Sequence, residues 1–394
     1  MKINDIIEIK IDKMANEGKG LGRYNEQVFF IPFSAPGDTL RVKVTRVTKS
    51  FCEGEIVEIL KASSLRAQAP CSYYGQCGGC NFQHLIYENQ LRIKTDLVKE
   101  TLERFLKISD LNFKESVPSP KHFNYRNRIQ LHTQENTIGF HKRKTHEILD
   151  IKECLIAEEP LNYFLSSNSD KLKSLGSSKE SKKPLKNRVE LFLTPDFGVD
   201  YRSETEDSES FAFFSQVNRF QNENLIKTVV NLFSVIPNDP KIRFFDLYAG
   251  SGNFSFPMLL AKNKSPVMAV ELSPELVKIG NLKKKESHYK QQITFINTSV
   301  EYFLSQVSVL PKDQILLDPP RTGCHQSTIE ILGAQKRDKI VYVSCNYVTL
   351  ARDLALLKTT AEGWGLKLDL QSLQCFDMFP QTDHIEVVVE LSIS

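Results

Sequence analysis

The 394-residue chain has a single tryptophan and only five methionines, and no apolar run approaches the roughly 18 residues that a membrane-spanning helix needs. Its first ten residues include Lys2, Asp5, Glu8 and Lys10, which leaves no apolar core for a secretory signal there. Both absences predict a cytoplasmic protein with no membrane partner. A strong excess of one charge is missing as well, since 51 Lys and Arg stand against 48 Asp and Glu, a net charge of +3. The basic surplus of many nucleic-acid binders is therefore absent. At 41% hydrophobic and 25% charged residues, so is the composition of bulk disorder. Composition neither requires nor excludes an RNA partner. Cysteine is not scarce, with eight in the chain. Where thiols stay reduced they read as ligands, nucleophiles or core residues before disulfides.

The length suggests two or three domains. In residues 3–60, Ile7, Ile9 and Ile11 alternate with polar positions, as do Leu40, Val42 and Val44, and glycines punctuate the runs. This predicts a small antiparallel barrel of about five strands, either a single-stranded nucleic-acid binder or a plain docking module. From Cys71 to about Asp200 the pattern is mixed, with one helix expected over 87–107, while the Ser- and Lys-rich stretch 166–188 reads as a loop. From Lys241 onward, apolar runs alternate with helical patterns, which predicts a doubly wound, mostly parallel α/β sheet with its ligand site at the carboxyl ends of the strands. The last two runs, LKLDLQSLQCF and IEVVVELSI, have no helix between them and should form an antiparallel hairpin at the sheet edge.

In that last region Asp246 closes the first strand, Gly250-Ser251-Gly252 makes a turn, and a helix opens from Asn253. Glu271 ends the next strand, placed to accept ribose hydroxyls of an adenosine. A dinucleotide fingerprint would want a third glycine where Ser255 stands, which disfavours an oxidoreductase; S-adenosylmethionine, lacking a pyrophosphate, does not need it. Asp318-Pro319-Pro320-Arg321 forms a rigid corner on the same rim, where Asp318 reads as a site residue or a turn cap. Val343-Ser344-Cys345-Asn346 sets a thiol there too. Cys345 is either a small buried residue or a soft, partly ionised nucleophile suited to conjugate addition at carbon 6 of a pyrimidine. Such chemistry needs a base for the carbon-5 proton. Glu386 is the candidate, with Asp383 and His384 as rivals.

Cys71-x5-Cys77-x2-Cys80 lies in a glycine-rich loop, and Cys154 follows 74 residues later. Four thiolates suit a [4Fe-4S] cluster, with tetrahedral zinc as the alternative; paired Cys-x-x-Cys knuckles, more usual for zinc, are lacking.

Taken in order, the four-cysteine loop, DLYAGSGNF, DPPR, SCN and FPQTDHIE resemble the S-adenosylmethionine-dependent RNA uracil-5-methyltransferase family over nearly the whole chain, and the amino-terminal barrel resembles a TRAM domain. The resemblance implies Cys345 as nucleophile and Glu386 as base. It implies Gln216, Tyr248, Glu271 and Asp318 as cofactor contacts, with Asn253 a further one, and Cys71, Cys77, Cys80 and Cys154 as cluster ligands. Tyr125-Arg126-Asn127-Arg128 resembles a family segment facing RNA. Two positions depart from the pattern: Tyr347 stands where proline usually follows SCN, and Ser299 stands where an acidic or amide cofactor contact is expected.

The implied layout is a TRAM-like barrel in 1–62, a central cluster domain in 63–205 and a methyltransferase domain in 206–394. The implied substrate is a uridine of 23S ribosomal RNA. The alternatives are a tRNA uracil-5-methyltransferase, a non-catalytic RNA-binding or chaperone protein on the same fold, and an enzyme whose cluster gates RNA binding. No DNA partner is expected, and a monomer is the default.

Overall fold

The computed structural model describes residues 1–134, 136–175, 187–203, 216–234, 238–261, 264–288 and 290–394. The chain forms two compact units, one of residues 1–97, 120–210 and 379–383, the other of residues 98–119, 211–378 and 384–394. Among the described residues no helix is long and apolar enough to cross a membrane.

The first unit opens with a closed barrel of β1 (Ile6–Ala15), β2 (Lys19–Tyr24), β3 (Gln27–Pro32), β4 (Thr39–Val47) and β5 (Cys52–Lys61), in the order β1-β2-β3-β5-β4. The expected alternation sends Ile7, Ile9 and Ile11 inward to meet Leu40, Val42 and Val44 in one core with Phe29 and Ile31. Asn25 and Glu26, both with positive φ, form the tight β2–β3 turn, whose twist suits the flanking strands. Glycine is required at position 22, where a Cβ would lie 2.3 Å from the Lys10 carbonyl oxygen.

Asp38, fully buried, ties the barrel to the segment that follows it. Its carboxylate accepts from the backbone N–H of Ala35 (2.6 Å) and Ser63 (2.9 Å) and from the Arg66 guanidinium (2.7 Å). Burial alone would raise its pKa, but the Arg66 hydrogen bonds and the backbone donors outweigh that and hold it below the ordinary value.

After α1 (Tyr87–Leu106), whose residues divide between the units, come β6 (Arg128–Gln134), β7 (Thr137–His141), β8 (Ile148–Asp150), α2 (Glu159–Ser167), α3 (Ser169–Ser174), β9 (Asn187–Leu193) and β10 (Val199–Ser203). The strands form an antiparallel sheet in the order β10-β9-β6-β7-β8. Leu161, Leu165 and Leu172 pack on Ile129, Leu131, Val189 and Leu191 of that sheet. The stretch read as a loop over 166–188 is thus helical at its start. Leu172 gives α3 an apolar anchor that the charge pattern hid. Residues 176–186 of that stretch lie outside the described residues.

The second unit continues with α4 (Arg219–Ser234), β11 (Phe244–Leu247), α5 (Ser255–Ala261), β12 (Val267–Glu271), α6 (Pro274–Glu286), β13 (Ile293–Asn297), α7 (Val300–Gln306), β14 (Gln314–Leu317), α8 (Gln326–Gly333), β15 (Arg337–Ser344), α9 (Tyr347–Gly363), β16 (Leu368–Phe376) and β17 (Glu386–Ile393). The sheet order is β13-β12-β11-β14-β15-β17-β16, with β11 to β15 parallel. The terminal hairpin is present, but only β16 is an edge; β17 inserts between β15 and β16, antiparallel to both. The strand order reverses between β11 and β14, which opens a crevice at their carboxyl ends.

Replacing Asp38 with alanine strands two backbone donors and a guanidinium inside the protein. We expect Asp38→Ala to lose roughly 3–5 kcal/mol in urea unfolding. Because the folded pKa is depressed, the contribution of Asp38 is present above the ordinary carboxylate range and is lost as pH falls through the folded value. The variant should therefore also show a weaker acid-side decline in stability than the wild type.

Candidate active site

The glycine turn is built by backbone conformation. Tyr248, Gly250 and Gly252 all have positive φ (69°, 56° and 92°), and a Cβ on Gly250 would meet nothing within 4 Å, which leaves open space above the turn. A side chain at 252 would run into Phe256 at 2.7 Å. The turn extends through Phe254, and the helix begins at Ser255 rather than Asn253.

Glu271, the last residue of β12, is fixed across this turn. One carboxylate oxygen accepts from the Gly250 N–H (2.9 Å) and the other from the Ser273 N–H (2.8 Å). The carboxylate is therefore oriented by backbone donors before any ligand arrives. Asn253 exchanges amide hydrogen bonds with Asn222 of α4 at 2.9 and 3.1 Å. Gln216 is half-buried just before α4, in a segment anchored by Asn218, whose amide donates to Ser119 Oγ (3.0 Å) and to the Met378 carbonyl (3.2 Å). Ser299 is occupied locally: it caps α7, its hydroxyl accepting from the Tyr302 N–H at 3.2 Å.

In the sequence Asp246 marks only the end of a strand. It is fully buried; Ser255 Oγ donates to one carboxyl oxygen at 2.5 Å, and the other has no hydrogen-bond partner. Burial pushes Asp246 up to about 7. Asp318 follows β14 and is pushed up to about 8 by burial and by the neighbouring Asp246 charge. Both acids gave a signal in the sequence, at the ends of apolar runs, but their mutual repulsion required the sheet order that sets β11 beside β14.

Cys345 and Glu386 sit at facing ends of adjacent strands: β15 ends at Ser344, which pairs with Val387 of β17. Cys345 is half-buried, and its thiol is pushed up to about 11, first by burial and then by Glu386; Arg321 pulls it down and Asp318 adds to the rise. Glu386 is buried, and its carboxyl is raised well above the ordinary range by burial and by Asp318, with Arg321 again opposing. Cys345, Glu386 and Asp318 thus share one electrostatic environment. Arg321 is its nearby cation.

The DPPR corner is clamped to the loop that carries Cys345. Asn346 caps α9 through the Val348 N–H (3.1 Å), and its amide donates to the Arg321 carbonyl (3.0 Å), as does Thr349 Oγ1 (3.2 Å). Sequence reasoning assigned no role to Arg321, Asn346 or Thr349. Their signal was proximity to named motifs, and only the folded loop shows the clamp. Asp383, a rival base, is engaged elsewhere: in the first unit it accepts from the Asn81 amide (2.9 Å) while its N–H donates back (2.9 Å).

The four cysteines of the expected cluster belong to the first unit. Cys71, Cys77, Cys80 and Cys154 line one cavity of about 60 Å³, several times the space one water needs. The loop carrying the first three is pinned to β7 and its turn, the Gly78 N–H donating to the His141 carbonyl (3.2 Å) and the Arg143 N–H to the Gln76 carbonyl (2.8 Å). Asn162 fixes Cys154 by bonding both its N–H (2.8 Å) and its carbonyl (3.0 Å). Burial raises the thiols of Cys77, Cys80 and Cys154, that of Cys80 to about 12. Among the described residues no three His, Cys, Asp or Glu side chains are arranged around a single ion position.

The segment read as facing RNA needs correction. Tyr125 is fully buried, its hydroxyl donating to the Pro380 carbonyl (3.0 Å), and Asn127 is buried as well. Arg126 lines the four-cysteine cavity.

Comparison with known proteins places these features in a family. A family model described as tRNA (uracil-5-)-methyltransferase matches residues 198–393, and a TRAM-domain model matches residues 2–57. An uncharacterized RNA methyltransferase of Bdellovibrio bacteriovorus is 37% identical over 389 residues, covering 98% of this chain and 95% of that protein. Another, from Aquifex aeolicus, is 30% identical over 433 residues, covering 98% of each. The crystal structure of Pyrococcus abyssi tRNA (uracil-54, C5)-methyltransferase in complex with S-adenosyl-L-homocysteine matches with a TM-score of 0.68 and 25% identity, over 97% of this chain and 100% of that one. The match of both family models and the near-full-length likeness to these relatives show that the chain belongs to the RNA uracil-5-methyltransferase family.

Proposed function

We propose that this protein transfers a methyl group from S-adenosylmethionine to carbon 5 of a uridine in RNA through a covalent adduct on Cys345. The observation that carries the reading is the common electrostatic environment of a half-buried thiol and two carboxyls, Cys345, Glu386 and Asp318, on the rim that also carries the Glu271-fixed glycine turn.

S-adenosylmethionine fits this rim. Glu271 is oriented to accept ribose hydroxyls, and Gly250 leaves room for close approach. The unpartnered oxygen of Asp246 suits a cationic ligand. Gln216, Tyr248, Asn253, Asp318 and the Ser299 region are the remaining proposed contacts. When bound, the cofactor supplies an electrophilic methyl on a sulfonium.

The residues then divide the chemistry. Cys345, once ionised, bonds to carbon 6 and makes carbon 5 nucleophilic. After carbon 5 has taken the methyl, ionised Glu386 removes its proton, and the carbon–sulfur bond breaks to restore the ring and release the thiolate. Arg321 opposes the burial that keeps Cys345 protonated. Reaching both ring carbons requires an unstacked or flipped uridine. Methylation is placed in residues 206–394, with the barrel of residues 1–62 gripping RNA and residues 63–205 carrying the cysteine site.

For that site we propose a [4Fe-4S] cluster on Cys71, Cys77, Cys80 and Cys154. Zinc needs all four sulfurs about 2.3 Å from one point. A cubane takes one thiolate on each iron, and four cysteines lining a shared cavity supply that set. Methyl transfer needs no electron, which makes the cluster a structural group. Iron-free, fully active protein holding stoichiometric zinc would contradict this.

Large-subunit ribosomal RNA is the proposed target, on the resemblance that joins a barrel to a four-cysteine loop. Transfer RNA is the second reading, favoured by the Pyrococcus abyssi enzyme, which aligns with this chain over its whole length. Incubation with methyl-labelled cofactor and unmodified ribosomal RNA or tRNA, followed by nucleoside analysis, decides between them. Cys345→Ala should lose at least about 10³-fold in rate, since it removes the covalent route. Glu386→Gln should accumulate a denaturation-stable protein–RNA adduct because the methylated ring cannot lose its proton. Full activity of Cys345→Ala would end the covalent mechanism. RNA binding without transfer by the wild type would select the non-catalytic reading.

A further inference from the structure

Arg126 is placed where a surface-seeking RNA contact has no use. Its side chain lines the cavity that Cys71, Cys77, Cys80 and Cys154 also line. Its Nε is shut off from solvent and has no hydrogen-bond partner. Among the described residues no carboxylate forms an ion pair with it; Glu153, the acidic residue lining the same cavity, is exposed. The half-buried guanidinium meets the Tyr125 side chain, but its shut-off Nε–H is left without a partner, which is costly unless something anionic meets it.

Arg126 is also held in register with the fourth cysteine. Its N–H donates to the Ile156 carbonyl and its carbonyl accepts from the Glu158 N–H, both at 2.8 Å. This bridge fixes the arginine backbone against the segment that begins at Cys154. Cys80 and Cys154 both lie within electrostatic reach of the guanidinium. The cation therefore faces the remote ligand and the last ligand of the loop together.

We propose that Arg126 is a positioning residue for the iron–sulfur cluster, its guanidinium supplying the compensating charge and the Nε–H donor that hold an anionic, thiolate-ligated cluster in the four-cysteine cavity. This rests on the cluster reading given above. Four thiolates outweigh the positive charge of a cubane core, so the ligated group is an anion. Hydrogen bonds to its sulfurs and nearby charge set its reduction potential. A guanidinium suits the task because it keeps its proton when buried and presents a planar set of donors.

The test uses the full-length protein reconstituted anaerobically with ferrous iron and sulfide. Wild-type protein should take up about four irons and four sulfides per chain. Failure there sinks the cluster reading itself and this proposal with it, and is told apart from failure at Arg126 alone. Arg126→Lys, Arg126→Gln and Arg126→Met are then compared for cluster midpoint potential, iron loss to a chelator and the thermal stability of the iron-free protein. In Arg126→Gln and Arg126→Met the potential should fall and iron should leave at least several-fold faster, while the iron-free proteins melt no lower than the wild type. Arg126→Lys, which keeps charge without the planar donors, should lie between. Wild-type potential and iron retention in the Gln and Met variants would overturn the proposal. So would iron-free variants that unfold, which would make Arg126 a packing residue.

Discussion

Asp246 and Glu386 are buried carboxyl groups and Asp318 a half-buried one at the rim of one sheet, and each is raised by burial and a like-charged neighbour. Cys345 enters the same environment, and burial together with the Glu386 charge keeps its thiol protonated far above neutrality. Everything else on this rim manages that desolvation. Ser255 satisfies one oxygen of Asp246, backbone amides hold Glu271, and Arg321 offsets the negative charge from a corner clamped by Asn346 and Thr349. Such a site is poor at holding its acids ionised when empty and well suited to a cationic ligand. A sulfonium cofactor is one.

The fold was legible where periodicity was strong. Ile7, Ile9 and Ile11 marked a barrel strand because their alternation matched one buried face, and the repeated β-α runs after Lys241 marked a parallel sheet for the same reason. The insertion of β17 between β15 and β16 was not legible, since a hairpin pattern says nothing about which of its strands is the edge. That insertion is what sets Glu386 beside the strand that ends at Ser344. α3 escaped notice because one buried leucine, Leu172, outweighs a run of serines and lysines that read as solvated.

Side-chain direction was the other blind spot. Tyr125-Arg126-Asn127-Arg128 looks like a surface for phosphate and base contacts, yet two of the four are buried and Arg126 turns into the cysteine cavity. Basic residues near cysteines carry two meanings in a sequence, contact with nucleic acid or compensation of an anionic group, and only burial separates them. The orphaned oxygen of Asp246 is a case of the same kind: an acid at a strand end is common, and its missing partner is visible only in the folded chain.

The proposed route runs through addition of Cys345 to carbon 6 and loss of the carbon-5 proton to Glu386. RNA transcribed with uridine tritiated at carbon 5 tests this most directly. Tritium should appear in water in step with methyl incorporation, its release should require both Cys345 and S-adenosylmethionine, and Glu386→Gln should incorporate methyl while releasing little tritium. Methyl incorporation by the wild type without tritium release would place the methyl on another atom and contradict the account.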